Sequence, residues 1–201
     1  VLVMGLGKQE SFDIDRVRRA MAMASRFLRE RGVRKIATVC HGAGIGKLDV
    51  RESADAVILG TRLGLYRFHK YRTNSIGEKD IDSVTIVEQD PSKIDDIKSG
   101  IVDGKMISDA TNLCRDLANE PGNIMTPTQL AESALRVAID SGLELKVIDK
   151  PGMEELGMGA LLGVAQGSDQ PPKFIVMNYS GDPDDDSNNI GLLGKGITFD
   201  S

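Results

Sequence analysis

The chain has 201 residues, of which 40% are hydrophobic, enough to bury the core of one large domain or two small ones. Its net charge of −5 and pI near 5.1 argue against non-specific nucleic-acid binding, because neutralising phosphates takes clustered Lys and Arg. Cys40 and Cys114 lack any C-x-x-C partner, which excludes a disulfide framework and a structural zinc site, and no apolar run is long enough to span a bilayer.

The chain opens on Val1-Leu-Val-Met4, which reads as a short buried strand closed by Gly5-Leu-Gly7. Over residues 13–31, Ile14, Val17, Met21, Ala24 and Leu28 recur at helical spacing, and Gly32 stands where a left-handed residue ends a helix. Residues 35–40 read as a second strand, 51–68 as a second helix and 83–88 as a third strand. The order β-α-β-α-β predicts a layered α/β domain with a partly parallel sheet. Residues 92–117 predict a long amphipathic helix with Ile94, Ile97, Ile101, Met106 (or Val102), Ala110, Leu113 and Leu117 along one face. It is expected to join two regions, 1–105 and 106–201.

The second region begins with the turn-rich Asn119-Glu-Pro-Gly-Asn-Ile-Met-Thr-Pro127. Thr126 is placed to cap a helix over 127–141. Pro127 takes the first helical position, Gln129 is spaced to reach back to the cap N–H, and Met125 and Leu130 are spaced as a staple. Gly142 ends that helix. A strand over 143–148, a short helix over 152–156, a strand over 173–179 and a last strand over 190–194 complete a second α/β region. The apolar stretch Gly157-Met-Gly-Ala-Leu-Leu-Gly-Val-Ala-Gln-Gly167 reads as close packing of a helix or loop on the sheet.

Several motifs invite a functional reading and do not carry it. His41-Gly-Ala-Gly-Ile-Gly-Lys47 follows a strand, yet His41 stands where the phosphate loop has glycine and Leu48 where it has Ser or Thr, so a plain turn is expected. Asp182, Asp184, Asp185 and Asp186 lack the glycine and terminal glutamate of a calcium loop. His41 and His69 lie on different elements and do not form a zinc pair. The basic run at residues 67–72 is short and reads as a solvated helix end. The two cysteines read as buried, reduced thiols of a cytosolic protein. The closing Gly191-Leu-Leu-Gly-Lys-Gly-Ile-Thr-Phe-Asp-Ser201 is different, because an apolar strand leads into a lysine and an aspartate five residues apart. Aspartate is a hard oxygen ligand that can span two ions about 3.5–4 Å apart. A lysine ligates only as the free amine. An odd separation along a strand puts the two side chains on opposite faces, so a bend is needed between them, and Gly196 would tolerate it best.

Residues 119–127, 157–168 and 194–201, in that order, resemble the leucine aminopeptidase (cytosol aminopeptidase) family, and residues 54–71 more weakly resemble its assembly domain. The resemblance implies a hexameric, cytosolic exopeptidase acting on peptides with two divalent metal ions, Mn²⁺ or Zn²⁺ and possibly Mg²⁺. It implies that Lys195 ligates one metal and that Asp200 bridges both. The family's remaining carboxylate ligands and its catalytic lysine and arginine follow the Asp-Ser motif, so the chain is expected to be an inactive fragment cut at both ends. The rival from another class is a non-catalytic module binding a nucleotide or nucleic acid; the acidic charge and the missing phosphate loop weigh against it. An amidase of the same fold is a third reading.

Overall fold

The computed structural model describes residues 1–44, 46–73, 80–182 and 189–197. They form two compact units, Val1–Asp116 and Leu117–Ser201, each mixing helices with strands.

In the first unit α1 (Ile14–Glu30) starts where the Asp13 carboxylate accepts the Arg16 N–H at 2.8 Å. It stops at Gly32, whose φ of +76° suits glycine. There the Gly32 N–H donates to the Arg29 carbonyl and the Val33 N–H to that of Leu28, the paired bonds of a Schellman end. Two short strands, β1 (Lys35–Thr38) and β2 (Ser83–Ile86), pair in parallel with Lys35 opposite Ser83 and Thr38 opposite Ile86. A parallel pair needs a crossover, and α2 (Val50–Leu65) lies within it, capped by the Asp49 carboxylate on the Glu52 N–H. Val17 and Met21 of α1 meet Ala56 and Val57 of α2 in one buried cluster, with Ile86 packed against it. A second cluster joins Cys40, Ala54 and Ile97.

The long helix α3 (Ile94–Asn119) follows a 3-10 turn at Pro91–Lys93. Its buried residues are Ile97, Gly100, Gly104 and Ser108. A side chain at Gly104 would come within 2.6 Å of the Asp55 carbonyl oxygen, and one at Gly64 within 2.6 Å of the Ala22 Cα. Helix approaches this close admit only hydrogen. Met106, expected on the packed face, is exposed, because α3 packs through its smallest residues. Polar bonds flank the α2–α3 seam: Arg51 Nε to Asp103 at 2.7 Å, Arg62 Nε to Ser108 Oγ at 2.6 Å, an Arg62–Asp109 ion pair, and Tyr66 Oη–H to Asp116 at 2.8 Å.

In the second unit α4 (Pro127–Ser141) begins as expected, with the Gln129 N–H donating to Thr126 Oγ1 at 3.3 Å. The Gln129 side chain bonds Glu132 at 2.9 Å rather than reaching back to the cap. The strands β3 (Glu144–Ile148) and β4 (Phe174–Asn178) pair antiparallel, Glu144 opposite Asn178. Between them lie α5 (Lys150–Glu155) and α6 (Gly159–Ala165). Gly157, at φ +67°, ends α5: its N–H donates to the Glu154 carbonyl and that of Met158 to Met153. Within α6, a side chain at Gly159 or Gly163 would meet nothing within 4 Å. The glycines of this segment therefore reflect a helix stop and open space among the described residues, not the tight packing expected of them.

Two expected strands are absent among the described residues. Residues 1–4 and 190–194 adopt neither helix nor strand. Apolar content alone does not make a strand, which forms only where a ladder partner takes its N–H and C=O groups.

Candidate functional site

Lys195 lies in the second unit, in the stretch 189–197, which is neither helix nor strand, and is exposed. Its neighbours are too: Leu192 is 94% and Leu193 96% exposed. The stretch passes the first turn of α4, where a Cβ placed on Gly196 would lie 3.5 Å from Leu130 Cδ2. Thus the loop that caps α4 through Thr126 and the glycine beside Lys195 belong to one neighbourhood. Asp200 lies outside the described residues, as do Thr198, Phe199 and Ser201, so the expected convergence of Lys195 and Asp200 is not observable.

Among the described residues no group of three or more His, Cys, Asp and Glu is arranged to hold a metal ion. One lysine amine is not a donor set for a divalent ion, which takes several hard oxygen or imidazole ligands. The described residues thus do not by themselves fit a metal centre.

The other motifs resolve as structure. In the glycine-rich turn after β1, the N–H groups of Ala43, Lys47 and Leu48 donate to the carbonyls of Cys40, Gly44 and Gly42. A phosphate cradle needs such N–H groups free and convergent, so the plain turn stands. His41 Nε2 sits 2.9 Å from Thr38 Oγ1, and its carbonyl accepts the Ser53 hydroxyl at 2.7 Å. Burial pushes the His41 imidazole below its ordinary pKa and favours the neutral ring. Burial likewise pushes the Cys40 thiol up. Cys114, expected to be buried, is exposed, because it lies off the small-residue face of α3. The acidic loop falls at residues 183–188, outside the described residues, apart from Asp182.

Two clefts mark the first unit. One, of about 500 Å³, is lined by Leu2, Met4, Met21, Leu28, Ile36 and His41 among others. The other, of about 400 Å³, has Ile58, Ile81 and Ile101 as walls with Arg62, Asp80 and Lys105. In the second cleft Arg62 is already paired with Asp109, and Asp80 accepts the Ile81 N–H. Sequence reasoning passed over Arg29, which is 5% exposed and donates from Nη1 to the Leu65 carbonyl at 2.7 Å. It closes the end of α2; burial first, then the nearby Arg67 guanidinium, lowers its pKa. No local pattern marks such a residue, because its partner is 36 residues away. Among the described residues no helix is long and apolar enough to cross a membrane.

A two-unit α/β chain with a Gly-Lys-Gly stretch beside a capped helix matches one family in both halves. The cytosol aminopeptidase family's N-terminal domain matches residues 1–75, and the same family's catalytic domain matches residues 112–201. The chain belongs to the cytosol aminopeptidase family. It is 37% identical over 202 residues to a probable cytosol aminopeptidase of Alkaliphilus metalliredigens, spanning all of this chain and 40% of that protein. It is 40% identical over 205 residues to one of Aquifex aeolicus, again over all of this chain and 39% of the relative. Among solved structures, a bottromycin maturation enzyme, BotP, in complex with Mn aligns at a TM-score of 0.74 and 28% identity, over 87% of this chain and 35% of that one. A mutant of tomato leucine aminopeptidase aligns at 0.67 and 25% identity, over 80% and 32%. The chain therefore spans about two fifths of the length of the curated relatives it matches.

Proposed function

We propose that this chain is part of an aminopeptidase that releases N-terminal residues, leucine among those preferred, from peptides with the help of two divalent metal ions. The observation that carries the reading is the match of residues 112–201 to the family's catalytic domain, which includes the Gly194-Lys195-Gly196 stretch. Lys195 and Asp200 are two of the metal ligands. Such ions, Mn²⁺, Zn²⁺ or Mg²⁺, polarise a carbonyl and lower the pKa of bound water. The chain's own contribution is positional. Thr126 fixes the first turn of α4, and Leu130 in that turn borders Gly196. The intact protein is a cytoplasmic homo-oligomer, hexameric by the family likeness. The 201 residues alone are read as inactive, because no metal donor set is completed among the described residues.

The test compares leucyl p-nitroanilide with its N-acetylated form, using a protein that carries this chain within a catalytic domain of the relatives' full length. Hydrolysis of the free-amine substrate only, abolished by chelation and restored by Mn²⁺ or Zn²⁺, supports the reading. Equal cleavage of both substrates, or activity that survives exhaustive chelation, would overturn it. Leucyl amide hydrolysis by the 201-residue chain at the rate of the longer protein would refute the statement about the fragment.

A further inference from the structure

The cleft of about 400 Å³ bordered by α2, α3 and β2 lies wholly within the first unit. Its size falls in the range of small-molecule sites, about 300–1,000 Å³. Ile58 of α2, Ile101 of α3, and Ile81 and Val84 on the strand side give it an apolar lining. All four are half-buried.

The polar groups around this lining divide into those already engaged and two that are not. Arg62 holds Asp109 and the Ser108 hydroxyl, Asp82 accepts two bonds from Arg34 at 2.8 and 2.9 Å, and Tyr66 donates to Asp116. The Lys105 ammonium makes no ion pair with any described residue; only the Lys105 carbonyl is engaged, by the Ser108 hydroxyl. Asp80 accepts the N–H of its neighbour Ile81 at 2.9 Å and has no cation in contact with it among the described residues. Arg29 feels the Asp80 charge from farther off and directs its Nη1 to the Leu65 carbonyl instead. Lys105 and Asp80 therefore line one cleft with opposite charges that do not neutralise each other. We propose that this cleft binds a free α-amino acid with an apolar side chain. Its carboxylate meets the Lys105 ammonium, its ammonium meets the Asp80 carboxylate, and its side chain lies on the isoleucine lining.

Charge complementarity selects this ligand over simpler ones. An anion alone would leave Asp80 unanswered, and a cation alone would leave Lys105 so. A purely apolar ligand would desolvate both charges without compensation. A zwitterion answers both with charge-assisted hydrogen bonds, and burial of its side chain adds affinity in proportion to apolar area. Both residues are exposed, so each loses part of its hydration on binding and the affinity is modest. The inference does not rest on the peptidase reading, although such amino acids are what an enzyme of that kind releases.

Calorimetric titration of L-leucine tests it, using a protein that carries this chain within a catalytic domain of the relatives' full length, stripped of metal by chelation. Saturable binding is expected. Lys105→Met and Asp80→Asn should each weaken it by about tenfold or more. L-alanine, with three fewer carbons to bury, should bind about tenfold more weakly than L-leucine. N-acetyl-leucine and leucinamide locate the contacts. Loss of the ligand's ammonium should weaken binding to the wild type by about tenfold and to Asp80→Asn hardly further, and loss of its carboxylate should do the same with Lys105→Met. Absence of saturable binding would overturn the inference, as when another part of the longer protein fills the cleft. So would binding indifferent to both substitutions. Thermal melting should be unchanged in both variants, because neither side chain holds an ion pair among the described residues. Should one variant unfold, the other and its matching analogue decide the outcome. Since the readout is binding without metal, this test succeeds or fails separately from the hydrolysis test of the peptidase reading.

Discussion

The two units handle apolar surface in different ways. The first seals Val17, Ala54, Ala56 and Val57 completely and binds its helices with charged seams on α2 and α3. Among the described residues of the second, the buried apolar ones are Ala131, Ala138 and Met153, while Ile139, Val164, Ile190, Leu192 and Leu193 stand in the open. The stretch that carries Lys195 belongs to this second, sparsely packed unit. The contrast is one of packing among the described residues: the first unit is held by close helix contacts, and the second carries the Gly194-Lys195-Gly196 stretch, whose lysine is a proposed metal ligand, on exposed chain.

Substitutions should break this contrast unequally. The largest effect is expected at Gly104→Leu, which drives a side chain into the Asp55 backbone and should cost about 3 kcal/mol or more in the urea stability of the first unit. Met153→Ala removes the one large side chain fully buried among the described residues of the second unit and should cost that unit about 2–3 kcal/mol. If Met153→Ala destabilised both units alike, the division would be wrong. Gly163→Ala should go the other way: a methyl there meets nothing within 4 Å, so α6 gains about 0.5–1 kcal/mol by thermal melting.

Acid sharpens the same comparison. In the first unit, hydrogen bonds from Arg34 and Arg51 hold Asp82 and Asp103 below the usual carboxylate range. A carboxylate depressed in the folded state contributes stability above its unfolded pKa, near 3.9, and loses it as pH falls through the folded value. His41 is depressed as well, by burial, so its contribution is complete above about 6.5 and fades as pH drops toward its lower folded pKa. Urea midpoints between pH 8 and 3 should fall in two stages, the upper flattened by His41→Gln and the lower by Arg34→Ala. The effect of Arg34→Ala should be small, because Arg34 and Asp82 are solvent-accessible. A lower stage unchanged in Arg34→Ala would contradict the assignment.

Local signals were legible in the sequence because their physics is local. The Thr126 cap and the helix ends at Gly32 and Gly142 each depend on a few adjacent residues. Strands over residues 1–4 and 190–194 were misread, since an apolar run says nothing of a pairing partner. The packed face of α3 was drawn through Met106 where Gly100, Gly104 and Ser108 make the contact, because hydropathy does not mark residues chosen for smallness. The proposal of Lys195 as a ligand rests on motif alone, and nothing in its exposed setting singles it out.

The most direct test of the central claim is metal loading of a protein carrying this chain within a full-length catalytic domain. Calorimetric titration of Mn²⁺ or Zn²⁺ into the wild type, Lys195→Ala and Asp200→Ala should show two ions bound in the wild type. Loss of a first ligand should cost more than the 10–100-fold in affinity typical of losing an outer-shell partner. Two ions bound with undiminished affinity in both variants would contradict it.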